Sequence, residues 1–232
     1  MGDLNPSNEI KLAVLDVAGT TAADDGLVVR AFLIAMEPLN PTPEELVEMT
    51  QYVESTMGQR KIDVFRHLCK DDEDLAFEAH ERFVTSYTDL VAEGQMHEFP
   101  GVSEFFKELR ERGIGISLTS GFPREILDPI LFELGWLELI DFSVAASEVK
   151  DGRPAPDMIL RSIDLYNEKT GAGITPDQVV VAGDTDSDMK AGVAAGAKVV
   201  LGVTSGAHNA EQLTQAGATH ISASVLSLSE LI

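Results

Sequence analysis

Apolar residues follow two different rhythms along this chain. Leu12-Ala13-Val14-Leu15 is a short apolar run that ends on Asp16. Such a run, bounded by polar residues, predicts a buried strand over 10–16. From 22 to 97 apolar and polar residues hardly alternate at all. Helical spacing takes over there and predicts helices over 24–38, from 43 onward, over 61–69 and over 72–92. The first is entered through acidic residues and stops near Pro38. The second opens at Pro43-Glu44-Glu45 behind a Thr42 N-cap, and Gly58 interrupts the pattern after it.

After Phe99-Pro100-Gly101 the rhythm changes. Strands predicted at 114–118, 142–146, 178–182, 197–201 and 220–221 alternate with helices at 102–112, 123–134, 156–168, 186–195, 208–216 and 225–232. Gly113 closes the first of these helices as a C-cap and Pro156 opens the third. Strands alternating with helices imply a parallel sheet with right-handed crossovers. The expected fold class is therefore α/β: a doubly wound, parallel-sheet, Rossmann-like core over 1–21 and 98–232. A helical cap domain over 22–97 is inserted after its first strand.

Charge narrows the partners. A net charge of -22 over 232 residues argues against nucleic acid and against an anionic membrane surface. An anionic substrate must find a locally positive site in this negative field. Cys69 is the single cysteine, so no internal disulfide forms and a reducing compartment is expected. Its neighbours Leu68 and Val64 read as an apolar helical face, which makes Cys69 a core thiol rather than a nucleophile. The stretch Met1 to Glu9 is polar and acidic, unlike a secretory leader. Pro6 stands where a myristoylation signal after Gly2 needs Ser or Thr. No apolar run approaches the ~20 residues of a membrane span. The expected location is cytoplasmic.

Four predicted strand ends carry polar groups: Asp16, Thr119-Ser120, the loop Gly152-Arg153-Pro154, and Asp184 with Asp188. Reacting groups of open α/β sheets lie beyond the carboxyl ends of the strands. Asp16 taken alone also fits a turn cap. Phosphoryl transfer needs a nucleophile, a metal, a hydroxyl donor and a fixed cation, and these positions supply one each. Asp184-Thr185-Asp186-Ser187-Asp188 is not a calcium loop, because Met189 and Ala195 stand where that motif needs Gly and Glu. Asp186 or Ser187 is expected to cap the following helix. Hard oxygen ligands of this kind suit Mg²⁺. His80, His97, His208 and His220 show no ligand spacing.

Asp16-x-Ala18-Gly19-Thr20, Thr119-Ser120-Gly121, Gly152-Arg153-Pro154-x-Pro156 and Gly183-Asp184-Thr185-x-Ser187-Asp188 resemble the four motifs of the haloacid dehalogenase superfamily of aspartyl-phosphate phosphohydrolases. The block 22–97 falls where that superfamily inserts its cap. Within it the chain resembles the phosphonoacetaldehyde hydrolases, or phosphonatases. Ala18 replaces the Asp that most phosphatases use as general acid. Arg153 stands where most relatives have Lys. Met57-Gly58-Gln59-Arg60-Lys61-Ile62-Asp63 carries a Lys where phosphonatases form an imine with the substrate aldehyde.

The resemblance implies that Asp16 is the nucleophile. It places Mg²⁺ on Asp16, the Ala18 carbonyl and Asp184, with Asp188 in support. It gives the phosphoryl oxygens to Thr119, with Ser120, and to Arg153. The substrate-binding set it implies is Ala18, Gly58, Arg60, Ser120, Gly121 and Phe122. Lys61 is either an imine-forming catalyst or a phosphate contact. Two departures bear on that choice: Val64 replaces a His, and Phe122 replaces a Tyr, while His67 lies a turn beyond Val64. The partner implied is a small phosphorylated or phosphonate substrate, and a homodimer is one option for assembly. The rival readings are a phosphatase of a small phosphate ester, with Lys61 and Arg60 as binding cations, and a non-catalytic binding protein of the same fold.

Overall fold

The computed structural model describes residues 9–232. The segment read above for leader and acylation signals, Met1 to Asn8, lies outside the described residues. The strands β1 (Leu12–Asp16), β4 (Gly115–Ser120), β5 (Phe142–Ala145), β6 (Val179–Gly183), β7 (Val199–Val203) and β8 (His220–Ser222) form one sheet in the order β5-β4-β1-β6-β7-β8. Every neighbouring pair is parallel. β1 is buried along its whole length, as its uninterrupted apolar run requires. After β1 the chain builds β4 and β5 on one side, then crosses to build β6, β7 and β8 on the other. The crevice of such a sheet opens where the winding reverses, here at the carboxyl end of β1. The register sets Asp16 beside Thr119 across the sheet.

Helices cover both faces. α7 (Asp157–Thr170) and α8 (Asp186–Ala195) pack Ile159, Ile163 and Ala191 against Leu12, Val14 and Val181. On the other face α5 (Val102–Glu111) and α6 (Arg124–Glu133) join a larger core with Ala13, Leu15 and Leu118. That core runs on without a break into the helical segment α1 (Leu27–Met36), α2 (Pro43–Ser55), α3 (Lys61–Leu68) and α4 (Glu73–Ala92). Phe32, Phe65, Phe83 and Tyr87 form an aromatic chain that ends on Phe122, just after β4. The remaining helices are α9 (Ala210–Gln215) and α10 (Leu228–Leu231). No helix among the described residues is long and apolar enough to cross a membrane.

The structure moves several expected boundaries. β2 (Ala22–Ala23) and β3 (His97–Glu98) pair antiparallel at the two ends of the helical segment. Strands of two residues leave no alternation to read. α1 starts at Leu27 rather than 24, because Asp25 and Gly26 take left-handed backbone angles and Asp24 caps the turn from outside. β4 runs on to Ser120, so Thr119 and Ser120 lie inside the strand. β7 starts two residues late, because Gly196 and the Ala197 N–H, bonded to the Gly192 carbonyl, still close α8. Neither Asp186 nor Ser187 caps α8. Thr185 does, in a reciprocal box with Asp188.

Candidate active site

Asp16 is the last residue of β1, and the chain turns at once behind it. The Thr21 and Ala22 N–H groups both donate to the Val17 carbonyl at 2.9 Å. The Thr21 hydroxyl donates to the Asp16 carbonyl at 2.9 Å. The turn holds Asp16 with its side chain 7% exposed, and Arg153 Nη2 lies 2.7 Å from Asp16 Oδ1. Arg153 Nη1 bonds Asp188, so one guanidinium bridges both carboxylates. Asp184 follows β6. Thr20 Oγ1 donates to its Oδ1 at 3.1 Å and the Ala207 N–H to its Oδ2 at 2.7 Å. A Cβ on Gly19 or Gly206 would collide with the Asp184 carboxylate, so glycine is needed on both flanks. Asp188 has a second task, because its Oδ2 accepts from the Thr185 N–H at 3.1 Å in the α8 cap.

Asp16, Asp184 and Asp188 each offer an oxygen, all within 4.8 Å of one another. Three buried carboxylates thus face one guanidinium. Burial raises the Asp16 pKa to about 7, helped by Asp188 and opposed by Arg153. Asp184 is pushed well above the carboxylate range by burial, then by the charges of Asp16 and Asp188. Arg153 stays protonated, because those carboxylates outweigh the cost of burying it. The cluster is short of positive charge and consists of hard oxygen donors, so these residues fit a divalent cation. The buried Nε of Arg153 has no hydrogen-bond partner among the described residues.

A cavity of about 520 Å³ opens over this cluster. Asp16, Ala18 and Asp184 line it from below, with Ser120, Gly121 and Phe122 beside them. Gly58, Lys61 and Asp24 line it from the helical segment. Thr119, Arg153 and Asp188 are buried behind Asp16 and do not reach the cavity wall. Arg60 does not line it either: its Nη2 donates to the Val149 and Lys150 carbonyls at 2.6 and 3.0 Å. The Ser120 hydroxyl accepts from the Phe122 N–H at 3.1 Å.

Lys61 is the first residue of α3, and it is 6% exposed. Its Nζ sits 5.6 Å from the centre of the Phe122 ring. Burial lowers its pKa to about 8, with the charge of Arg153 acting in the same sense against Asp24, Asp16 and Asp184. Val64 is buried one turn along, and His67 stacks on Tyr52 at 4.1 Å rather than taking the place of Val64.

The loop before α3 touches the sheet closely. A Cβ on Gly121 would lie 2.6 Å from the Gln59 carbonyl oxygen and 2.7 Å from that of Gly58. Gly121→Ala must therefore push this loop, and Lys61 with it, away from Asp16. Displacement by about an ångström costs catalysis up to ~10²-fold. Steady-state kinetics should show kcat/KM falling by that order, and the melting temperature should fall with it, because the clash is with backbone.

Some site residues escaped the sequence reading. Thr20, Ser205 and Ala207 hold Asp184 and the Gly19 carbonyl, and Asp24 and Tyr87 meet at the cavity edge. The small residues Ser205-Gly206-Ala207 after β7 were the one available signal. Nothing marks Tyr87 within a long amphipathic helix.

The family model for haloacid dehalogenase-like hydrolases matches residues 14–202. The chain belongs to this hydrolase family. It is 32% identical over 211 residues to a bifunctional phosphonoacetaldehyde hydrolase/aminoethylphosphonate transaminase from Clostridioides difficile, a match that covers 81% of this chain and 30% of that one. The chain thus spans less than a third of that longer relative. It is 30% identical over 209 residues to a phosphonoacetaldehyde hydrolase from Bacteroides fragilis, covering 80% of this chain and 73% of the other. Among solved structures, a phosphonoacetaldehyde hydrolase-like protein from Oleispira antarctica superposes with a TM-score of 0.80. That match covers 100% of this chain and 95% of the other at 21% identity, and it speaks to the fold alone.

Proposed function

We propose that this hydrolase works through a phosphorylated Asp16 and cleaves the P–C bond of phosphonoacetaldehyde or a related phosphonate, with Lys61 as imine-forming residue. The observation that carries the reading is a buried lysine with a depressed pKa, lining the same cavity as the Asp16 carboxylate. The family relatives named for phosphonoacetaldehyde hydrolysis support it. The core 1–21 and 98–232 carries the phosphoryl chemistry and the cap 22–97 carries Lys61.

Lys61 attacks the aldehyde carbon as the free amine, and uptake of a proton with loss of water leaves a protonated imine. Asp16 attacks phosphorus. The P–C bond breaks with its electron pair moving onto carbon, where the iminium takes it up as an enamine. An expelled carbon needs no carboxylic acid to protonate it at once, which agrees with Ala18. Water then hydrolyses the aspartyl phosphate, and the enamine, protonated at carbon back to an imine, is hydrolysed by a second water that releases the aldehyde and frees Lys61. Of the residues expected at the phosphoryl oxygens, Ser120 lines the cavity, whereas Arg153 acts through Asp16, whose carboxylate it holds at 2.7 Å. Asp16, the Ala18 carbonyl and Asp184 would hold Mg²⁺, with Asp188 in support; when bound, the ion supplies positive charge against the carboxylates and the phosphoryl group.

Two measurements test this. Borohydride added with phosphonoacetaldehyde should fix a substrate adduct on Lys61 and stop turnover. Mg²⁺ should raise the melting temperature, and the increment should grow between about pH 5 and pH 8 as carboxyls of raised pKa release protons that compete with the metal. Chelation should reverse the gain and stop turnover. A pH-independent increment, or full activity in chelator, would remove the metal site from the reading.

A specific observation favours a second reading. Val64 and Phe122 are both buried and apolar where phosphonatases carry proton-handling groups. A phosphatase of a small ester, with Lys61 as a phosphate contact, would turn over without any borohydride-sensitive adduct.

A further inference from the structure

Asp24 and Tyr87 form a polar pair at the cavity edge that the mechanism above does not use. Asp24 Oδ1 accepts from the Tyr87 hydroxyl at 2.8 Å, and Oδ2 accepts from the Val28 N–H at 3.2 Å. Both carboxylate oxygens are therefore held, one by α4 and one by the start of α1. Tyr87 is fully buried, and its ring lies 4.6 Å from the Phe122 ring. The same Phe122 ring lies under Lys61 Nζ. Asp24 and Lys61 line one cavity and each feels the other's charge, yet no direct ion pair joins them. A carbonyl bound in that cavity would meet both side chains. Burial also raises the Asp24 pKa, although Tyr87 and Val28 pull against it, which makes this carboxylate a better proton acceptor than an exposed one.

We propose that Asp24, positioned by Tyr87, is the proton-transfer group for imine formation at Lys61, supplying from the turn before α1 what Val64 and Phe122 cannot. The inference rests on the Lys61 imine. The Lys61 ammonium gives one proton to the Asp24 carboxylate. The freed amine attacks the aldehyde carbon, the C–N bond forms, and the carbonyl electron pair moves to oxygen, which takes the proton back from Asp24. A second proton passes from nitrogen to the hydroxyl by the same carboxylate. Water leaves, the C=N bond forms, and Asp24 ends as it began. Both protons on the departing water come from Lys61, so no further reactant is needed.

The test uses reductive ethylation of the whole protein with acetaldehyde and cyanoborohydride, with modification rates read at Lys61 and at exposed Lys150 by peptide mass mapping. In wild type, Lys61 should be modified well ahead of Lys150. In Asp24→Asn the Lys61 rate should fall at least about tenfold at every pH from about 6 to 9, while Lys150 is unchanged. Tyr87→Phe should give a smaller fall, and Asp24→Glu should recover part of the rate. A purely electrostatic role predicts the opposite sign, because removing the Asp24 charge lowers the Lys61 pKa and frees more amine. A faster or unchanged Lys61 rate in both Asp24→Asn and Tyr87→Phe, with melting temperatures near wild type, overturns the proton-transfer role and leaves the imine standing. Failure to modify Lys61 in wild type overturns the imine itself, and this inference with it.

Discussion

Asp16→Asn should reduce single-turnover phosphoryl transfer by about 10⁴-fold or more, because loss of a covalent nucleophile leaves only the binding and electrostatic parts of catalysis. The fold should survive. Arg153 keeps its partner Asp188, and Asn retains the size of the buried side chain. Stability in metal-free buffer should rise slightly, since one of the charges that push up Asp184 is gone. The stabilisation by Mg²⁺ should shrink for the same reason. Rapid quench for phosphorylated protein and a thermal melt with and without Mg²⁺ check both halves. Phosphoenzyme formation at wild-type rate in Asp16→Asn would end the aspartyl-phosphate reading.

Lys61→Arg should abolish P–C cleavage while keeping positive charge over Phe122. A guanidinium stays protonated and does not form an imine here. A free lysine with pKa ~10.4 has well under a hundredth of its amine neutral at pH 7, whereas a pKa of about 8 leaves roughly a tenth neutral. The sign follows directly. Asp16 attacks only when ionised and Lys61 only once it has given up its proton, so kcat/KM should climb with pH from about pH 6 and level off near pH 8. The pH profile of kcat/KM on phosphonoacetaldehyde reads this limb. Retained P–C cleavage in Lys61→Arg excludes the imine. If wild type instead hydrolyses only esters and the substitution leaves that turnover intact, the phosphatase reading stands, and Val64 and Phe122 were its sign.

Why Asp16 could be found in the chain while Asp24 could not is a matter of locality. Leu12-Ala13-Val14-Leu15 followed by Asp16-x-Ala18-Gly19-Thr20 holds a strand, its end and its turn within nine consecutive residues. Thr119 and Asp184 are marked in the same way, each at the end of an apolar run. Helix α2 was readable from Thr42 and Pro43 because a capping box is made within four residues. Asp24 stands in a turn of acidic residues that any exposed loop could carry. Only contact with Tyr87, far along the chain on α4, makes it part of a site.

The limits of motif reading appear at Arg60, Asp188 and Thr185. A basic residue beside Lys61 suggests a substrate cation, but the guanidinium is spent on the Val149 and Lys150 carbonyls. The rotation of α3 decides which of two adjacent side chains faces the cavity, and packing of that helix on α4 sets the rotation. Asp188 serves the α8 cap and Arg153 together, a double role no spacing announces. Thr185 took the cap expected of its neighbours because its extended backbone points the hydroxyl at the Asp188 N–H.

The alternation of apolar runs and helical stretches was enough to specify the parallel α/β order, since burial on both faces of a strand leaves an uninterrupted local pattern. The chemistry at each strand end was likewise written beside its strand. Strand order, the reach of the helical segment over Asp16, and the choice of Lys61 over Arg60 came from the tertiary structure. So did the depressed pKa of Lys61. Each depends on what lies within a few ångströms but tens of residues away, and desolvation is a property of that surrounding rather than of the residue.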